Sequence, residues 1–241
     1  MTELKSYAVW DVPTRLFHWI NVICVVALVG LGLVMLNGRA LEVSRAGSVK
    51  IKTIHVWVGY VFAINLLTRL VWAFLGNRYA RWRSFLPGGR GYLSAARSYV
   101  YGFFSGRPQQ YLGHNPIGRI SVIVTLLLTV VLAVTGLVLA GTDLFYPPFG
   151  HWFARWVAAP GVDPAALVPN APNLVDKAAV EGMRAFRRPF MVSHIYSYYA
   201  LLVVVALHVV GVVLHEIRGG GSIVSATFSG RKILSGRPVD E

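Results

Sequence analysis

The sequence has one cysteine and few charged residues. Cys24 is the only cysteine among 241 residues, so the chain forms no internal disulfide and supplies neither a Cys-type zinc site nor the thiolates of an iron–sulfur cluster. Charged residues make up 14% of the chain and hydrophobic residues 55%, whereas an average soluble domain is about 25% charged. The alternating ten-residue segments typical of membrane β-barrels are also absent. The composition therefore indicates an all-α integral membrane protein.

Acidic residues are scarcer still, with 10 acidic against 23 basic side chains and a net charge of +13. A strongly basic chain raises the alternative of nucleic-acid binding, but in a membrane protein basic loops instead set the orientation. The segment 76–119 has no acidic residue and holds seven arginines, namely Arg78, Arg81, Arg83, Arg90, Arg97, Arg107 and Arg119. This segment is expected to face the cytoplasm.

Four apolar runs are long enough to cross a bilayer. We predict spans at about 16–36, 52–75, 120–140 and 190–217, joined by loops 37–50, 76–119 and 142–189. Asp11 and Pro13 are typical of a helix start before the first span. Residues 1–241 are expected to form a single domain, a four-transmembrane-helix bundle in the bacterial inner membrane. Both termini are then cytoplasmic, and the 142–189 loop is periplasmic, with an amphipathic interfacial turn at 151–156.

The fourth span carries His194, His208 and His215. An ionisable side chain in hydrocarbon is by default a functional-site hypothesis. Fourteen residues separate His194 from His208, which is about 40° short of four full turns, so both rings project from one face about 21 Å apart along the axis. One helix thus offers a nitrogen ligand near each side of the bilayer.

Pairing the histidines by depth matches His55 with His194, and His18 with either His208 or His215. Two imidazoles from facing helices are a common way to hold haem b, and the chain has no CxxCH motif for covalent attachment. The sequence therefore predicts two haems b. Zinc is a competing metal, but it prefers three or four ligands at one point.

Arginines near the spans are candidates for binding haem propionates, because a guanidinium group pairs well with a carboxylate. Arg69 lies inside the second span and Arg15 precedes the first, with Arg187 and Arg188 at the other surface. The alternative for Arg69 is that it extends to the membrane surface. Close approach of a porphyrin or of another helix is expected at three glycines, Gly30, Gly32 and Gly59. His114 and His151 are expected at the surface, although His114 is also a candidate for a proton or quinone step.

Five stretches resemble the Ni/Fe-hydrogenase b-type cytochrome subunits of the bacterial cytochrome b-561 superfamily. They are VPTRLFHWIN (12–21), IHVWVGYVF (54–62), TRLVWAFLGNRY (68–79), LGHNPIGR (112–119) and SHIYSYYALLVVVALH (193–208). The resemblance implies haem ligands at His18, His55, His194 and His208, and so favours His208 over His215. Two features depart from the family pattern. The N-terminal YAVWDVPTRLFHW is closer to b-type cytochromes that partner c-type cytochromes, and the 142–189 loop contains an unusual Pro/Ala-rich run.

The resemblance implies an electron-transfer subunit of an oxidoreductase complex in a respiratory chain. Electrons from a periplasmic redox enzyme, a Ni/Fe hydrogenase, would enter at His55/His194 and reach the quinone pool through His18/His208. No catalytic acid, base or nucleophile is predicted. The alternatives are a stand-alone quinone oxidoreductase, for example one oxidising superoxide, and a cytochrome b that partners a c-type cytochrome. A transporter or structural membrane anchor without haem is a further alternative from a different class.

Overall fold

The computed structural model describes residues 4–107, 109–169, 171–219 and 222–241. Pro108 and Asn170, which belong to the predicted loops 76–119 and 142–189, lie outside these ranges. In chain order the elements are β1 (Lys5–Ala8), α1 (Val12–Leu36), α2 (Arg45–Leu75), α3 (Trp82–Phe85), α4 (Tyr92–Phe104), α5 (Pro116–Leu144), α6 (Gly150–Val157), α7 (Lys177–Gly219), α8 (Ile223–Ser229) and β2 (Arg231–Leu234). Two single-turn 3₁₀ helices, Pro164–Ala166 and Pro172–Leu174, lie between α6 and α7.

Four of the described helices, α1, α2, α5 and α7, are long and apolar enough to cross a membrane. Each begins before the span expected from hydropathy. The difference is largest for α7, which begins at Lys177 and contains Pro189, so the expected loop 142–189 is shorter than predicted. Polar residues such as Glu181 and Arg184 keep the first turns of α7 out of a hydropathy pattern. They are nevertheless good helix formers.

The start of α1 follows the expected capping pattern. The Asp11 carboxylate accepts a hydrogen bond from the backbone N–H of Thr14 at 3.0 Å, as an N-cap does. Its other oxygen accepts from Trp72 Nε1 at 3.1 Å and from the Asn77 N–H at 3.2 Å. Burial raises the pKa of Asp11, but these hydrogen bonds outweigh it and hold the pKa below its ordinary value. Asp11 thus ties the start of α1 to the end of α2.

The chain divides into two compact units. Unit 1 comprises residues 1–21, 65–127 and 201–241, and unit 2 comprises residues 22–64 and 128–200. The boundaries between the units fall inside the four long helices. His18 and His208 therefore belong to unit 1, and His55 and His194 belong to unit 2.

In unit 1 the two ends of the chain pair with each other. Strands β1 and β2 form an antiparallel ladder in which Lys5 is opposite Leu234 and Ala8 is opposite Arg231. Val9, Leu112 and Leu234 are buried together beside this ladder. The sequence pattern did not predict the ladder or the short helices α3, α4 and α8.

In unit 2 the helix α6 covers a small core. Its buried residues are Gly150, Phe153, Ala154 and Val157, a spacing that puts them on one helical face. They pack with Val138, Leu167 and Met183. A Cβ atom at position 150 would lie 2.0 Å from the Phe145 carbonyl oxygen, so only glycine allows this close approach. The expected amphipathic turn at 151–156 is therefore a packed helix.

Candidate functional site

In unit 2 the imidazole rings of His55 and His194 face each other from two different helices, α2 and α7. Their centroids are 6.3 Å apart and their planes meet at 67°. Nδ1 of His55 is buried and has no hydrogen-bond partner among the described residues. An unpaired buried nitrogen is costly and calls for an explanation. The geometry brings together the two histidines that the depth argument paired.

Two groups of α5, the Thr135 hydroxyl and the Leu132 carbonyl, hydrogen-bond the His194 ring. The Thr135 hydroxyl lies 2.8 Å from His194 Nδ1 and 2.6 Å from the Val131 carbonyl oxygen. A hydroxyl has one proton to donate, and the short bond to Val131 uses it. The Thr135 oxygen therefore accepts a proton from His194 Nδ1–H. This leaves the lone pair on Nε2 of His194 free to bind a metal.

The spacing of the two rings agrees with a single metal ion between them. Metal–imidazole bonds of about 2 Å put two ligating nitrogens about 4 Å apart, and with each ring centroid about 1 Å further back the centroids are about 6 Å apart. Gly59 lies one turn after His55, and a Cβ built there meets no atom within 4 Å. Gly32, in contrast, packs on the Tyr198 ring at 3.6 Å. The unfilled side of Gly59 and the unpaired His55 nitrogen both agree with a planar metal-bound cofactor.

A charged cluster lies on the same helices. Asp143 accepts from Lys52 Nζ at 3.0 Å and forms an ion pair with Arg187 Nε at 2.7 Å. Lys52 is one turn before His55 on α2, and Arg187 is two turns before His194 on α7. Because two cations share one carboxylate, the cluster keeps a net positive charge. This arrangement suits an anionic group of a bound ligand.

The unit 1 pair consists of His18 on α1 and His208 on α7. Both rings are exposed, and they are close enough to interact electrostatically. Arg15, one turn before His18, donates from Nη1 to the Phe228 carbonyl. Its Nε is buried without a hydrogen-bond partner among the described residues. Gly211, one turn after His208, also has no atom within 4 Å of a built Cβ. This pair shares with the first an open glycine one turn after a histidine and a nearby arginine.

Arg69 is held by protein groups in unit 1. Its Nη2 donates to the Ala80 carbonyl at 3.2 Å, and the guanidinium carbon lies 5.2 Å from the centre of the Phe85 ring. The expected pairing with a cofactor carboxylate stays a prediction.

His114 is more enclosed than expected. Its ring packs on Trp10 at 5.1 Å and on Phe85 at 6.3 Å, and its Nδ1 is buried without a hydrogen-bond partner among the described residues. Burial, helped by the charges of Lys232 and Arg69, lowers the pKa of His114 to about 3. The ring is therefore neutral at physiological pH. His151, in contrast, is exposed and packs on Trp152 at 4.7 Å.

The C-terminal segment holds the loop that carries His114. Lys232, only 6% exposed, donates to the carbonyls of Tyr111 and Gly113 at 3.1 and 3.0 Å. Asp240 accepts from the N–H groups of Leu112 and Gly113 at 2.6 and 2.8 Å. Burial lowers the pKa of Lys232 to about 8, against the opposing effect of Asp240. The sequence offered no signal for these contacts, because a lysine and an aspartate in a polar tail are usually solvated.

Side chains of α4 contact the His215 ring. The Tyr99 hydroxyl lies 3.0 Å from its Nδ1, and the Tyr99 and Phe103 rings stack on it. Asn115 donates to the same hydroxyl at 2.9 Å. Helix α4 therefore covers the His215 ring. Among the described residues no three His, Cys, Asp or Glu side chains are grouped to hold a metal ion.

Four membrane-length helices and paired histidine rings define a multi-pass helical membrane protein. A family model described as prokaryotic cytochrome b561 matches residues 9–230. The chain therefore belongs to the prokaryotic cytochrome b561 family, and a b-type cytochrome implies haem b as cofactor.

Relatives with a common name match much of the chain. It is 30% identical over 177 residues, 67% of this chain and 74% of the relative, to a probable Ni/Fe-hydrogenase 1 B-type cytochrome subunit of Escherichia coli K12. Two probable Ni/Fe-hydrogenase B-type cytochrome subunits match over more of the chain. That of Cupriavidus necator is 28% identical over 95% of this chain and 87% of the relative, and that of Rhizobium leguminosarum is 26% identical over 98% and 92%. No solved structure matches the chain significantly.

Proposed function

We propose that this protein is a di-haem membrane subunit that carries electrons from a periplasmic Ni/Fe hydrogenase to the quinone pool. One haem b is held by His55 and His194, and the other by His18 and His208. Haem b, when bound, supplies one-electron redox chemistry. The protein contributes the ligands, their orientation and a surrounding of low polarity.

The observation that carries the proposal is the His55–His194 pair with Thr135 behind it. A ring separation of 6.3 Å agrees with one metal between two imidazoles. Thr135 accepts the Nδ1 proton of His194 and so directs Nε2 toward a metal. Such outer hydrogen bonds usually fix the orientation and raise the basicity of a ligating histidine.

Cationic side chains near each pair would hold the haem propionates. Lys52 and Arg187 serve the His55–His194 haem, since Asp143 neutralises only one of their two charges. Arg15 serves the His18–His208 haem, and its buried Nε without a described partner supports this role. Arg69 is proposed as a second cation for this haem.

We further propose that both termini lie in the cytoplasm and that the protein sits in the bacterial inner membrane. The pairing of β1 with β2 supports an even number of crossings, since it joins the two ends of the chain. Lys232 and Asp240 also bind the end of the arginine-rich 76–119 segment. Arginine-rich segments without acidic residues usually face the cytoplasm.

The hydrogenase partner is inferred from the names of the relatives. On the proposed topology, residues 145–169 and 171–176 between α5 and α7 face the periplasm and offer it a surface. Quinone would react on the cytoplasmic side near His18 and His208. His114 is a candidate to bind a quinone oxygen there, because its buried Nδ1 has no described partner and His208 is within electrostatic range.

A reduced-minus-oxidised spectrum of the purified protein tests the haem assignment. His194→Ala should remove about half of the b-type alpha band and leave the protein in the membrane. His151→Ala is the matched control, since His151 is exposed beside Trp152, and it should retain the full signal. A full haem complement in His194→Ala would refute the pairing.

The partner is tested separately from the haem. Membranes that contain the protein and its hydrogenase should reduce the b-type haem when hydrogen is supplied, and quinone should reoxidise it. If haem is present but hydrogen never reduces it, the hydrogenase assignment fails. The haem ligation proposed above would stand.

A further inference from the structure

Helix α4 is fixed to the ends of two membrane helices. Tyr92 donates from its hydroxyl to the Pro116 carbonyl in the first turn of α5, at 2.6 Å. Tyr99 and Phe103 stack on His215 in the last turns of α7, with ring centroids 6.3 Å away in both cases. Because α4 packs at the points where α5 begins and α7 ends, it lies at the depth where these helices leave the apolar layer.

The same helix has a second apolar stripe that no described residue covers. Leu93 is 82% exposed, Tyr101 74% and Phe104 75%, with Val100 at 38%. At about 100° per residue these four positions fall within an arc of about 100° on the helix surface. Ser94 borders this arc, and Ser98 lies about 60° beyond its edge. Such a division between an apolar and a polar face is typical of helices that lie in a membrane surface.

Exposed arginines lie before, within and after α4 in the chain. Arg83, Arg90, Arg97 and Arg107 are all exposed, and none forms an ion pair among the described residues. Arg97 lies one turn after Leu93, within the stripe itself. The whole segment 76–119 contains no acidic residue. A surface that complements this stripe and its arginines is therefore an apolar layer with anionic groups above it. A membrane leaflet with anionic headgroups has this arrangement.

We propose that α4 lies in the membrane surface as an interfacial helix and that the arginines of residues 83–107 bind anionic phospholipid headgroups. Leu93, Tyr101 and Phe104 enter the acyl boundary, while Arg97 extends its charged group to the phosphates. The inference requires only that α5 and α7 cross the membrane, and it is independent of the haem ligands and of the electron donor.

Spin labels test the position of α4. Single cysteines are placed at positions 93 and 104, with 98 as the control outside the stripe, in the full chain carrying Cys24→Ala and reconstituted in lipid nanodiscs. Labels at 93 and 104 should be accessible to oxygen and protected from a water-soluble relaxation agent, and the label at 98 should show the reverse. Equal access of the water-soluble agent at all three positions would overturn the interfacial position. It would leave the stripe as a surface for a protein partner.

Lipid binding tests the role of the arginines. Protein in nanodiscs that contain phosphatidylglycerol should unfold at a higher temperature than in phosphatidylcholine alone, and salt should reduce the difference. The Arg83→Gln/Arg97→Gln variant should bind phosphatidylglycerol on the order of tenfold more weakly than the wild type. Arg155→Gln/Arg184→Gln removes two exposed arginines of unit 2 as a matched control. Equal binding by both double variants would overturn the assignment of the lipid site.

Discussion

The Thr135 hydroxyl lies 2.8 Å from His194 Nδ1, and the same oxygen donates to the Val131 carbonyl at 2.6 Å. The first contact joins two helices and the second is a bond within one helix. Together they give the His194 ring a single tautomer, with Nε2 as the available ligand atom. The proposed metal chemistry of α7 thus depends on a residue of the third membrane helix, for which hydropathy offers no signal.

Replacing Thr135 with Val should weaken haem binding at this site, because valine keeps the shape but cannot accept the His194 proton. Loss of such an outer partner typically costs about 10–100-fold in metal affinity. The haem content of purified Thr135→Val protein and the reduction potential of its remaining haem measure the effect, and the potential should rise as the ligand becomes less basic. Thr125→Val is the control, since Thr125 makes the same kind of backbone bond to Ser121 at 2.8 Å. Equal haem content and potentials in both variants would contradict the role of Thr135.

Filling the space beside Gly59 should exclude one haem without unfolding the protein. A Cβ at this position meets no protein atom within 4 Å, so a larger side chain begins there without a clash at its first carbon. We expect Gly59→Leu to insert in the membrane normally and to lose the haem of the His55–His194 pair. The haem of the other pair is an internal control in the same spectrum. Retention of both haems would mean that the open side of Gly59 faces lipid.

Removing the buried ammonium group of Lys232 should destabilise unit 1. Lys232→Met leaves the carbonyls of Tyr111 and Gly113 without this donor, and each unsatisfied buried group costs about 1–3 kcal/mol. The variant should unfold at a lower temperature and be cleaved faster by protease in residues 109–115. Arg237→Gln is the matched control, because its ion pair with Glu241 is exposed and such pairs contribute about 0–1 kcal/mol. Identical unfolding of the two variants would show that the contacts of Lys232 are dispensable.

His114 should make the protein sensitive to acid. Burial, with Lys232, Arg69, Arg119 and His208 as neighbouring groups, lowers its pKa to about 3 from an ordinary value of 6.5. Between these two pH values the unfolded chain binds a proton that the folded protein does not, so stability falls as the pH falls below 6.5. His114→Gln removes this contribution and should lose less thermal stability than the wild type between pH 7 and pH 4.5. Parallel losses in the two proteins would argue that the ring is protonated in the folded state.

The prediction of an all-α membrane protein with four long apolar helices is confirmed, because hydropathy over about 20 residues reports directly on transfer into a bilayer. The capping role of Asp11 is confirmed as well, since an N-cap bond depends on residues three apart in the chain. The family was also recognisable, since its motifs lie in short continuous stretches. The helix ends were predicted less well. Helices α2 and α7 begin before the predicted spans, in polar turns where packing, and not hydropathy, maintains the helix.

Segments expected to be loops were harder to predict. The 76–119 segment contains the helix α4, whose inner face packs on His215 of α7. The C-terminal tail looked like a solvated basic extension, yet β2 pairs with β1 and Lys232 is buried. These features arise from contacts between residues more than 100 positions apart, and no local pattern encodes such contacts.

The sequence by itself determined the membrane class, the four apolar helices and the histidines at matched depths, because these follow from composition and from helical spacing. Only the tertiary structure decided which groups surround each histidine. It placed Thr135 behind His194, stacked Tyr99 on His215 and enclosed His114 between Trp10 and Phe85. The physical reason is that burial and hydrogen-bond partners depend on which helices and loops pack together, and that choice is made by the whole chain.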